Sequence, residues 1–277
     1  MPLTRTTTFE DVRNQWATLC GLDSTSIISD DDTAFIELMN ASYPKAWVLA
    51  EFPFGCQVTG FLTVSRTNAV DLSSNSSVRD VLSVTDANPY YKVNAKKLRY
   101  SINQDNIYVP EAADPTELSV SGLVSSGTTA TATTSTAHGY AVNDTVVIAG
   151  AGESDYNGTF EVVTVPSTTT FTYTMGADPV DTATGTITST RATVFLYYRT
   201  QETEFDGTLA TTLPYALKNY LAYQISADWL ASEGQEDKSL RRQAKADEHA
   251  QILMDNYERQ QQQILPNQVE VRTVGVR

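Results

Sequence analysis

At 277 residues, 41% hydrophobic and 19% charged, the chain has the composition of a folded globular protein, with a core large enough to need neither disulfide nor metal. Its 33 acidic against 19 basic residues give a net charge of -14, which disfavours sequence-specific binding of nucleic acid; it serves solubility, the commoner use, and also suits a wall past which DNA slides without sticking. No apolar run approaches the roughly 20 residues that cross a bilayer, and the first twelve or so residues lack a secretory apolar stretch, so synthesis in the cytoplasm and no membrane are expected. Cys20 and Cys56, each among apolar neighbours, read as reduced core thiols.

In chain order, Phe9, Val12, Trp16 and Leu19 recur at helical spacing. Thr8 with Asp11 has the form of a capping box, and Gly21 can close the helix in the left-handed conformation. A second helix begins after Ser29, whose hydroxyl can cap it, with Asp30, Asp31 and Asp32 at the positive end of its dipole. Those three acids lack the alternating oxygens and the glycine of a calcium loop. Phe35, Leu38, Met39, Ala46 and Leu49 continue the apolar face, Pro44 marks a kink or break, and Phe52-Pro53-Phe54-Gly55 is expected to end the element. Strands are predicted over 79–84 and 97–109, with a turn near Ala87-Asn88-Pro89.

Composition then changes abruptly. From Tyr100 to Thr190 there is no Lys or Arg, and Thr, Ser, Gly and Val crowd the stretch from about Thr116, which favours β structure. Residues 144–149, 159–165 and 170–174 read as short strands separated by turn signals such as Tyr156-Asn157-Gly158, so a small barrel or sandwich over 116–191 is expected as an inserted module. The apolar strand 193–199 is expected to rejoin the sheet interrupted at 110–115. Beyond it, Pro214 sits where a first-turn proline belongs, Leu217, Leu221, Ile225 and Trp229 follow at helical intervals, and Gly234 stops the helix. A partner helix over 236–262 is predicted to place Leu240, Ala244, Ala250, Met254 and Tyr257 on one side and to close an antiparallel hairpin. The fold class is therefore α+β: helices at both ends as a discontinuous core of 1–115 and 192–263, a small sheet, the β module of 116–191, and an arm of 264–277.

Candidate chemistry is sparse. His138 and His249 are the only histidines; a turn role is read for the first, and a solvated helix position for the second. Neither has a cysteine at metal-ligand spacing, and no nucleophile elbow, Walker loop or paired-histidine zinc motif is present. The run Ala149-Gly150-Ala151-Gly152-Glu153-Ser154 lacks the lysine and ensuing helix of a phosphate loop and reads as a connection. Lys92, Lys96, Lys97 and Arg99, interleaved with Tyr90, Tyr91 and Tyr100, form the one basic cluster; a solvated edge strand or a contact with an acidic neighbour outweighs nucleic-acid stacking. No catalytic residue, metal ligand or cofactor is assigned, although a pair of carboxylates of the glycosidase kind stays open. In the tail, Pro266 blocks continuation of the helix, and Val269, Val271 and Thr273 alternate with Glu270 and Arg272, the pattern of an extended arm that adds to a partner's sheet edge or groove. Its candidate contact residues are Ile264, Val269, Val271, Arg272, Val274, Val276 and Arg277.

Several pieces, in order, resemble phage head-to-tail adaptor proteins: Ala41-Ser42-Tyr43-Pro44-Lys45-Ala46-Trp47 followed by Glu51-Phe52-Pro53, the strands around 98–109, the strand 194–199, and the closing hairpin LPYALKNYLAYQISADWLASEGQ. The segments AHGYAVNDTVVIAG, DYNGTFEVVTV and TFTYT separately resemble small β modules common in phage structural proteins. The simplest adaptors lack such an insert. The resemblance implies a structural, non-enzymatic protein of the virion at the head–tail interface. It would form a dodecameric ring of neighbouring adaptor subunits that binds the portal protein through its C-terminal arm, lets viral DNA pass and offers a platform to the next tail protein. The alternatives are another tail structural protein, such as a tail terminator or a fibre-attachment protein, and a virion-associated glycan-active enzyme.

Overall fold

The computed structural model describes residues 6–23, 29–49, 54–64, 67–73, 75–92, 94–179, 182–202 and 204–264. The chain starts with β1 (Thr6–Thr8), α1 (Phe9–Cys20) and α2 (Ser29–Trp47), followed by β2 (Cys56–Phe61), β3 (Ala69–Asp71), β4 (Val78–Thr85), β5 (Ser101–Asn103) and β6 (Asn106–Tyr108). Next come β7 (Glu117–Ser126), β8 (Thr129–Thr134), β9 (Thr145–Ala151), β10 (Gly158–Ser167), β11 (Thr170–Thr174) and β12 (Gly185–Arg191). Last are β13 (Val194–Thr200), β14 (Thr212–Pro214), α3 (Lys218–Ser232) and α4 (Glu236–Ile264). The fold is mixed α+β, with N-terminal helices, a C-terminal helical pair, small sheets and an inserted six-stranded antiparallel barrel. Two compact units are present, 1–56 with 202–277, and 57–201.

The first unit is helical because its end signals and its apolar spacing agree. Thr8 Oγ1 accepts the Asp11 N–H at 3.1 Å, and the Asp11 carboxylate accepts the Thr8 N–H at 3.1 Å, the reciprocal pairing of a capping box. Gly21, at φ 80°, turns the chain out of α1. Between these ends Phe9, Val12, Trp16 and Ala17 are buried on one face. They meet Phe35, Met39 and Tyr43 of α2 and Leu217, Leu221 and Ile225 in one core, with Phe9 stacked on Phe205 at 4.3 Å. Helix α2 runs through Pro44 and ends at Trp47, earlier than the expected end at 52–55. Gly55 lies against the Trp47 indole, where a Cβ would stand 3.1 Å from the ring, so the chain folds back over the helix end. The Ser29 and Asp30 side chains, and Phe52 and Pro53, lie outside the described residues.

Pro214 closes the two-stranded β1–β14 pair and leads a single 3-10 turn over Tyr215–Leu217, so α3 starts later than a first-turn proline predicts. Helices α3 and α4 form the expected hairpin, with Gly234 at φ 71° in the turn. The face of α4 matches the expected one in part: Ala250 is buried and Tyr257 packs against the core as expected, whereas Ala246 is buried instead of Leu240, which is 68% exposed, and Ala244, which is exposed. Leu240 and Ala244 stand roughly 80° and 120° around the helix from Ala250. Ala246 and Ala250 lie in the helical core, Leu253 and Tyr257 pack against it, and Gln243 bonds Gln224 of α3 at 3.0–3.1 Å.

In the second unit, β13 lies between β2 and β4, and β3, β6 and β5 make a separate sheet. The strand after the insert therefore rejoins β4 rather than the hairpin β5–β6 that immediately precedes the insert. Val70, Val84, Ile107, Val109, Val194 and Leu196 form the core around these sheets. The barrel closes in the order β10-β11-β8-β7-β12-β9. Alternation sets its two surfaces: on β8, Ala130, Ala132 and Thr134 are buried, while Thr129, Thr131 and Thr133 point outward. Leu123, Ile148, Tyr156, Phe171 and Tyr173 fill the interior, and the Tyr173 hydroxyl donates to the Tyr156 carbonyl at 3.2 Å. The first and last strands pair directly, Glu117 opposite Thr190, so the chain enters and leaves the barrel side by side. That adjacency lets a whole barrel be inserted between β6 and β13.

Candidate functional site

Within the second unit, the loop after β4 meets one end of the barrel around a cleft of about 660 Å³. The loop is shaped by its own side chains. Asn88 accepts the Tyr90 N–H at 3.0 Å through Oδ1, its carbonyl accepts the Tyr91 and Lys92 N–H groups, and Asp86 accepts the Lys96 N–H at 2.8 Å. Tyr91 and Lys92 are thereby fixed at the cleft. Lys92 Nζ lies 3.4 Å from one Asp144 oxygen, and Arg191, at the end of β12, lies 3.6 Å from the other. That second oxygen also accepts the Ala141 N–H at 2.9 Å, and the Asp144 side chain is only 7% exposed. The buried carboxylate is thus balanced by two half-exposed cations.

Next to it, Glu111 takes Lys96 at 2.8 Å and Arg99 at 3.5 Å, and the Lys96 hydrogen bond holds the Glu111 carboxyl below its ordinary value. The Tyr140 hydroxyl bonds Ser189 Oγ at 3.0 Å, while burial pushes that phenol up. His138 is buried, and its Nδ1 accepts the Tyr140 N–H at 2.9 Å, so a neutral ring carries its proton on Nε2. Nε2 has no hydrogen-bond partner among the described residues, and the ring packs 4.8 Å from Tyr140 and 5.4 Å from Phe171. Donors, acceptors and a tyrosine face converge here, an arrangement that can bind a polar ligand.

The basic cluster is held largely within its own chain, by Glu111 and by Asp144 of the barrel. His138 lies in a turn but is buried at the cleft, and His249 is half-buried and stacked on Tyr223 at 5.2 Å rather than solvated. Residues 149–154 form the end of β9 and a connection, where the Glu153 carboxylate accepts the Thr184 N–H at 2.7 Å and its hydroxyl at 2.8 Å. Asp32 pairs with Arg13 at 2.9 Å. Ile264 is the last residue of α4, its side chain outside the described residues, as are Val269, Val271, Arg272, Val274, Val276 and Arg277 in full.

No protein-family model matches the sequence, and no curated protein matches it. Among solved structures, the chain is similar to "Phage phi92 endosialidase", with a TM-score of 0.26 and 15% identity. The overlap takes in 53% of this chain and 21% of that one, so this chain spans about a fifth of that protein's length.

Asp144 and Arg191 were not singled out from the sequence. The signal available was the long segment without cations: Arg191 is the first basic residue after it, and a buried acid within it has to find its counter-ions at the segment's edge or outside.

Proposed function

We propose that the chain is a structural protein of a tailed bacteriophage particle, acting as a head-to-tail adaptor that binds the portal, extends the DNA channel and carries the docking platform for the tail. The observation that carries this reading is the chain order of the helical unit. α1 and α2 from before a strand-rich segment and the α3–α4 hairpin from after it share a single core, the chain order that the adaptor resemblance implies. The work is geometric: neighbouring copies pack side by side, the acidic chain lets DNA pass, and the arm after α4 joins the portal. No catalytic group is required.

The isolated protein is expected to sediment as a monomer, because like-charged subunits oppose crowding, and to assemble on the portal. Truncation after Gln263 should leave thermal melting nearly unchanged and abolish attachment to portal-containing capsids. Normal attachment by the truncated protein would eliminate the role given to the arm, and stable rings of the pure protein at low salt would eliminate the role given to the portal as template. A second reading, a fibre-attachment protein, is favoured by the cleft beside the barrel.

A further inference from the structure

We infer that the cleft between the loop after β4 and the barrel binds a neutral oligosaccharide. This goes beyond the adaptor reading, which needs no ligand there.

The lining selects the ligand class. Four carboxylates and three cations face the cleft, so their charges nearly cancel and a phosphate, a nucleic acid or a polycation gains little from entering. Paired charged side chains are nevertheless suited to hydroxyl groups, because a sugar hydroxyl both donates and accepts. Lys92 and Arg191 approach Asp144 only at 3.4 and 3.6 Å and are each 53% exposed, so both keep N–H donors directed away from that carboxylate for a ligand oxygen. Asp114 and Asp86, both exposed and both lining the cleft, supply acceptors. Tyr91, 51% exposed at the edge, offers an aromatic face against which the C–H side of a pyranose can lie. The loop carrying Tyr91 is fixed by Asn88 and Asp86 before any ligand arrives, which lowers the ordering cost of binding. At about 660 Å³ the cleft lies within the range of small-ligand sites.

The full chain would be applied to an array of neutral gluco-, galacto-, manno- and rhamno-oligosaccharides, with heparin, inorganic phosphate and single-stranded DNA as controls. Any positive would be followed by titration with Tyr91→Ala and Asp114→Asn, whose folding is checked by circular dichroism. Binding of at least one neutral oligosaccharide, weakened roughly tenfold or more in both folded variants, is the expected result. No neutral oligosaccharide bound at millimolar concentration, equal affinity in both variants, or capture of only the anionic controls would each overturn the inference. Attachment of Tyr91→Ala to portal-containing capsids should be normal, so failure here is separable from failure of the adaptor reading.

Discussion

Gly150 and Gly185 show how single positions hold the barrel closed. They face each other where β9 and β12 pair across a register shift, both at positive φ, and a Cβ on Gly150 would collide with the Thr186 carbonyl oxygen. A backbone atom cannot move aside as a flexible side chain can, so Gly150→Ala is expected to destabilise the second unit by about 2–3 kcal/mol, read as a lower urea midpoint. At the other end of the chain, Thr8→Ala removes a side-chain cap from α1 and should cost about 1 kcal/mol near neutral pH. The same cap sets a pH dependence. The Thr8 backbone bond, then the Thr7 and Thr8 hydroxyl bonds, hold the Asp11 carboxyl below its ordinary value. A depressed carboxyl contributes stability that is present above its unfolded value, about 3.9, and is lost as pH falls through the lower folded value. Unfolding curves of wild type and Asp11→Ala should therefore converge as the pH drops through that window, and a gap that widened in acid would contradict the assignment.

At the scale of elements, burial decides which substitutions matter. Phe171 is fully buried among His138, Tyr140 and Tyr173, so Phe171→Ala should cost about 3–5 kcal/mol. On α4, Ala246→Leu should cost about 1–3 kcal/mol by overpacking the α3 contact, whereas Leu240→Gln at an exposed site should change the melting point little. The reverse ranking would restore the face expected from the sequence. The first half of that face differs because its one large apolar residue, Leu240, points to solvent while Ala246 packs with little hydropathic signal; further along, Ala250 and Tyr257 do reach the core. α1 was legible because Thr8, Asp11 and Gly21 act through local chemistry that needs no tertiary partner. Strands β9, β10 and β11 were legible through Val, Phe and Tyr. β7, β8 and β12 were not, since Thr-Ala-Thr-Ala-Thr-Thr in β8 gives only a faint alternation, and its assignment depends on strands far along the chain. The cleft was illegible for the same reason: Lys92, Asp144 and Arg191 meet only after the barrel has closed.

For the whole molecule, two arrangements matter: a helical core assembled from both ends of the chain, and a barrel whose entry and exit strands are neighbours. The first gives the adaptor reading its framework, and the second explains how a barrel is accommodated without cutting the sheet formed by β2, β13 and β4. With a net charge of -14, contacts between copies are expected to weaken at low ionic strength and to strengthen as salt screens the repulsion, which sedimentation across a salt series would show. The central claim is tested most directly by adding the purified full-length protein to portal-containing capsids and imaging the particles by electron cryomicroscopy. A ring of this protein seated under the portal, continuous with the channel, is the predicted result; unoccupied portals, or density for the chain elsewhere on the particle, would contradict it.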